Sequence, residues 1–178
     1  FPVPILRTRL HRPSVAPDVE VRDALLDRLE VGRRLPLTLV SAPAGYGKST
    51  LVSRWLEESA APGAWLSIEE SDADPRCFLA YVIAAVRSVY PDACRETLEL
   101  LNAAELPDAQ TLAGQLINDL DDVGEELLLV LDDYHRLGES PVHDVVNSLL
   151  EYPPRGLHLV IAGRRDPPLR HRRLRAQH

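Results

Sequence analysis

Ser41-Ala-Pro-Ala-Gly-Tyr-Gly-Lys-Ser-Thr50 follows a short apolar run, Leu37-Thr-Leu-Val40, and precedes Leu51, Val52, Trp55 and Leu56 at helical spacing. A strand, a glycine-bearing turn and a helix in that order form the setting of a phosphate-binding loop. Gly45 and Gly47 let the backbone turn so that the amides of Pro43 to Thr50 (proline excepted) surround an anion at the positive end of the next helix. Lys48 is placed to reach β- and γ-phosphates, the Ser49 hydroxyl to ligate Mg²⁺, and Thr50 to meet a nearer phosphate. The cradle therefore comprises Pro43, Ala44, Gly45, Tyr46, Gly47, Lys48, Ser49 and Thr50. Ala42 stands where the usual pattern opens with glycine, an exchange that is tolerated if its φ is negative.

Working outward, Leu127-Leu-Leu-Val-Leu131 is wholly apolar and ends in Asp132 and Asp133. Such a run fits a parallel strand covered on both faces. A carboxylate at its end can hold a metal ion beside the loop, which makes Asp132 the metal-side residue and Asp133 the group that positions or deprotonates water. His135 reads as a structural histidine, because hard Mg²⁺ prefers oxygen. Leu157-His-Leu-Val-Ile-Ala162 is another buried strand, and Arg164 just beyond it is placed to sense a γ-phosphate. Arg165 reads as a solvated loop residue, and Glu69, Glu70, Asp72 and Asp74 as a solvated acidic loop with a helix cap.

Helices are expected around Val21 to Leu29, from Pro75 through Val86, from Asp108 through Leu120, and from Ser140-Pro141 through Leu150. Ala64 to Ile68 is a further strand. Four prolines in residues 1–18 disfavour a helix and predict an extended arm. Strands alternating with helices predict an α/β fold with a parallel, doubly wound sheet, whose ligands bind beyond the strand carboxyl ends.

At 178 residues the chain is sized for a single domain, spanning 1–178. Its formal net charge is −7, which excludes a nucleic-acid footprint over the whole surface. Seven arginines and one acid between Arg155 and His178 make the tail locally basic. No aromatic residue interleaves Arg170, Arg172, Arg173 and Arg175 for base stacking. The longest apolar stretch, Phe78 to Val86, falls short of the roughly 20 residues of a membrane span. Two cysteines without clustered histidines give neither a disulfide framework nor a zinc site. The expectation is a cytoplasmic protein without a membrane partner, and the absence of Met points to a segment of something longer.

Four ordered blocks carry a resemblance: Leu37 to Thr50; Trp65-Leu-Ser-Ile68 with Asp74-Pro-Arg-Cys-Phe-Leu-Ala-Tyr81; Leu129-Val-Leu-Asp-Asp-Tyr-His135; and Leu157 to Leu169. Together they resemble the nucleotide-binding domain of large ATP-dependent LuxR-type transcription regulators, in the class of signal-transduction ATPases with numerous domains (STAND). The maltose-regulon activator is the type member of that family. The resemblance implies a P-loop NTPase three-layer sandwich of the additional-strand, AAA-like class, with strand order 5-1-4-3-2. It further implies ATP/ADP and Mg²⁺ as ligands, slow hydrolysis, and a switch between a closed ADP monomer and an ATP form that self-associates. In that pattern Arg22 matches an upstream arginine near the nucleotide, Arg164 matches the sensor arginine, and Gly163 replaces a serine. The family's winged helix, sensor repeats and DNA-binding helix-turn-helix would follow His178, so no direct DNA contact is expected of this segment. Two other readings stay open from the residues alone: a small-molecule kinase, and a nucleotide-binding interaction module without catalysis.

Overall fold

The computed structural model describes residues 3–16 and 23–170. Its four strands, β1 (Leu37–Ser41), β2 (Gly63–Ser67), β3 (Leu127–Asp132) and β4 (Leu157–Gly163), pair in parallel in the order β1-β4-β3-β2. That is the 1-4-3-2 part of the expected order. The insertion of β4 between β1 and β3 is the additional-strand arrangement: the strand that feeds the glycine turn and the strand that ends in carboxylates are not neighbours. The register pairs Ser41 with Gly163 and Ser67 with Asp132, so all four strands end along one edge.

Among the described residues six helices cover the sheet: α1 (Asp23–Val31), α2 (Lys48–Glu58), α3 (Pro75–Arg87), α4 (Arg95–Leu101), α5 (Ala109–Val123) and α6 (Val142–Glu151). Side chains alternate between faces along a strand. Leu127, Leu129, Leu131, Leu159 and Ile161 accordingly join a core with α3, α4, α5 and α6, whereas Leu128, Val130 and Val160 pack with Leu26, Leu29, Val52 and Trp55 from α1 and α2. These two cores make the three-layer sandwich. Helix starts follow local chemistry. Asp74 accepts from the Arg76 amide with Pro75 at the first helical position, and Asp108 accepts from the Thr111 amide at 2.7 Å. Ser140 Oγ accepts from the Val142 amide and donates to the Ala73 carbonyl, which fastens the start of α6 to the loop after β2.

Two expectations need correction. The arm is not extended throughout: Arg7–Leu10 forms a 3₁₀ turn lying against β2, the sheet's edge strand. Asp72 is not solvated: it is fully buried and ion-paired with Arg9, which is 7% exposed. The acidic loop supplies the counter-charge that lets the arm cover an otherwise open strand edge. A cation reaching it from more than sixty positions away leaves no local pattern. The seven-residue α4 is too short to show a helical period in the sequence.

At the opposite end of the sheet His158 is buried beside Thr38 and Leu35. A carbonyl can only accept, so Nδ1–H donates to the Leu35 oxygen and Nε2 accepts from the Thr38 hydroxyl at 2.7 Å. The ring is neutral, and its pKa is lowered from 6.5, chiefly by burial, with Arg33 adding to the shift and the Leu35 hydrogen bond opposing it. A depressed histidine pKa gives stability that is full above the unfolded value and lost as pH falls through the folded one. The melting temperature is therefore expected to decline as pH falls below about 6.5. A melting temperature that rises between pH 6.5 and 5.5 would contradict this.

Candidate functional site

The chain leaves β1 at Ser41, turns through Gly45 (φ 89°) and Gly47 (φ 72°), and enters α2 at Lys48. Both glycines occupy the left-handed region that costs other residues about 1–2 kcal/mol. A Cβ at either position would meet open space, so the backbone angle rather than crowding calls for glycine. Among the described residues the non-glycines at positive φ are Cys94 and Asp133, so Ala42 meets the condition set for it. Its amide donates to the Gly163 carbonyl at 3.1 Å, which ties the start of the turn to the end of β4.

The N-terminus of α2 carries no capping side chain and no acidic residue in its first turn. Its first amides are thus left for an external acceptor, and the helix dipole adds positive potential there. Pro43, Ala44, Gly45, Tyr46 and Gly47 line the exposed rim, Tyr46 being 76% exposed. Lys48, Ser49 and Thr50 are half-buried on the first turn.

Asp132, only 4% exposed, lies across from this turn. It accepts from Ser49 Oγ at 2.9 Å and from the Asp133 amide at 2.9 Å. Burial pushes its pKa up; the Ser49 hydrogen bond and Lys48 pull it down, while the Asp133 charge pushes it up. An incompletely compensated carboxylate beside a hydroxyl is a hard oxygen pair of the kind Mg²⁺ takes, with water and phosphate completing the shell. Among the described residues no group of three or more His, Cys, Asp or Glu could hold a metal, so a cation here would depend on phosphate oxygens. The donor set fits Mg²⁺ in that shared mode.

Beyond β3, Asp133 sits at φ 56° and begins the 3₁₀ turn Tyr134–Leu137. Tyr134 O–H donates to His143 Nδ1 at 2.9 Å, and His143 Nε2–H donates to the Gly138 carbonyl at 2.6 Å, which fixes that turn against α6. An open cavity of about 560 Å³ is lined by Glu70, Asp133, His135, Arg136, Gly138 and Arg164. The structure thus brings Ser49 to Asp132 and Asp133 to Arg164. Arg22 lies outside the described residues. Glu70 and His135 join the cavity without having been expected to: the sequence marks them only as acidic-loop and structural residues.

The model of the AAA ATPase domain matches residues 20–162. The chain belongs to the AAA ATPase domain family. Within this family it is similar to the HTH-type transcriptional regulator MalT of Serratia proteamaculans, at 34% identity over 93% of the chain and 18% of that protein. MalT of Vibrio cholerae is 32% identical over 91% of the chain and 18% of its own length. The chain therefore spans less than a fifth of the length of these relatives. Among solved structures, Cdc6p from Pyrobaculum aerophilum aligns with a TM-score of 0.53 over 91% of this chain and 44% of the other, at 20% identity. That likeness shows the AAA-like fold. No helix among the described residues of this AAA ATPase domain is long and apolar enough to cross a membrane.

Proposed function

We propose that this domain is the ATP/ADP–Mg²⁺ switch of a LuxR-type, MalT-like transcription regulator, acting in the cytoplasm with slow ATPase activity. The observation that carries the reading is the Ser49–Asp132 hydrogen bond, which puts the buried carboxylate of the acidic strand beside an uncapped helix start. In this reading the amides of residues 44 to 50 and the Lys48 ammonium bind the phosphates, and Ser49 and Asp132 orient the Mg²⁺ shell. The bound cation supplies charge neutralisation at the phosphates. Asp133 accepts the proton of the attacking water as its oxygen bonds to the γ-phosphorus and the bond to the bridging oxygen breaks. Arg164 offsets charge on the γ-phosphoryl oxygens, and Arg22, outside the described residues, is carried over from the family pattern as a nucleotide-binding arginine. Self-association and promoter binding fall to the full-length regulator; this segment makes no direct DNA contact.

Slow turnover follows from Asp133, whose side chain is shorter than a glutamate and whose backbone is held in a left-handed turn. Single-turnover conversion of bound ATP tests the reading. ADP is expected to form slowly in the wild type and at least about tenfold more slowly in Asp133→Asn, in keeping with the loss of a general base. Bound ATP that persists unchanged would assign a non-catalytic binding module. ATP consumption that requires an added small-molecule acceptor would assign a kinase.

A further inference from the structure

The β3–β4 register runs from Leu127 opposite Leu157 to Leu131 opposite Ile161 and ends there. On the other side, β1 reaches its last pair at Ser41 and Gly163. Arg164 is therefore the first residue past the sheet, where no ladder partner fixes its backbone. Its amide instead donates to Nδ1 of His135 at 3.2 Å. His135 belongs to the turn that starts at Asp133, so this bond crosses from the acidic strand end to the arginine.

The bond also assigns the ring's protons. Nδ1 accepts, so in the neutral ring the hydrogen is on Nε2. Burial lowers the His135 pKa, and the cations of Arg164, Lys48 and Arg165 act in the same direction, against the opposing charge of Asp133. Glu70 and Arg136 complete the charged groups around the cavity. The ring fits closely over β4: a Cβ on Gly163 would lie 3.5 Å from both the His135 amide nitrogen and Nδ1. The Gly163 carbonyl meanwhile accepts from Ala42 at the start of the phosphate loop. The Gly163-Arg164 segment is thus held from one side by the loop and from the other by the turn carrying the carboxylates.

We infer that His135 is a positioning residue: by accepting from the Arg164 amide it aims that arginine at a terminal phosphate, so that the site distinguishes a nucleoside triphosphate from a diphosphate. This rests on the nucleotide reading above. His135 itself touches no phosphate in this account; it acts through Arg164, and its role concerns discrimination more than overall affinity. The Arg164 amide is solvent-accessible enough for water to replace the lost acceptor, so stability is largely spared in variants.

Calorimetry on the full chain with Mg–ADP and with the Mg complex of the β,γ-imido analogue of ATP separates the possibilities, with a melting curve for each variant. Arg164→Ala and His135→Leu are each expected to weaken the triphosphate analogue about tenfold while ADP stays within about twofold. His135→Asn, whose side-chain carbonyl can occupy the place of Nδ1, is expected to restore analogue binding to within about threefold of wild type. The double variant should bind the analogue no more weakly than Arg164→Ala alone. Equal weakening of both nucleotides in His135→Leu, no weakening of either, or an asparagine variant as poor as leucine would overturn the inference and leave the nucleotide site intact. An unchanged Arg164→Ala would do the same. A wild-type chain that binds neither nucleotide would remove the nucleotide reading itself, and this inference with it.

Discussion

Replacing Lys48 by alanine is expected to weaken Mg–ATP and Mg–ADP binding by about tenfold to a hundredfold. The ammonium stands on the first turn of α2, half-buried and near enough to Asp132 to lower its pKa. A charge-assisted contact to a phosphate contributes about 1.5–3 kcal/mol, whereas the backbone amides that share the anion remain in the variant. Affinity should therefore fall without vanishing, and the melting temperature without ligand should hardly move. Titration calorimetry with each nucleotide checks both statements. An unchanged dissociation constant would remove Lys48 from the site.

Asp72→Ala should produce the largest loss of stability. Arg9 reaches Asp72 with one guanidinium nitrogen, donates through Nε to the Ser67 carbonyl at 3.1 Å, and lies 3.8 Å over the Tyr81 ring. Asp72 also accepts from the Glu69 amide, and Tyr81 holds the arm a second time through the Leu6 amide. Removing the carboxylate leaves the buried guanidinium with only the partly exposed Glu69 carboxylate, 3.8 Å from Nε, as counter-charge, a loss of up to about 3–5 kcal/mol. For a domain of this length that corresponds to a fall in melting temperature of roughly 6–20 °C. Replacing both partners with leucine removes the unpaired charge as well as the attraction, and should recover most of the loss. A double variant as unstable as Asp72→Ala would show that the pair itself, rather than the uncompensated charge, sets the cost.

Much of this was legible in the chain because its determinants are local. The Leu127–Leu131 run, the Asp74-Pro75 and Asp108 starts, and the glycine turn each fix their own backbone, and the parallel sheet follows from their alternation. The Ser41–Thr50 segment and the acidic strand end fall on the same edge because parallel strands all finish there. Contacts between distant residues were not legible. Arg9 meets Asp72, and His135 meets the Arg164 amide, only once the sheet has set its neighbours. Neither residue type nor spacing distinguishes Asp72 from the solvated acids around it. Gly163 shows the same limit: the resemblance sets it where the family has serine, but that His135 serves the following amide there is visible only in three dimensions.

In the proposed nucleotide complex the amides opening α2 take up a polyphosphate. Backbone ¹H–¹⁵N spectra recorded as Mg–ADP is added report on those groups one by one. The largest shifts are expected at Gly45, Gly47, Lys48, Ser49 and Thr50, with Asp132 and Asp133 following through the metal. Saturable shifts confined to another face of the sheet, with residues 45 to 50 unmoved, would contradict it.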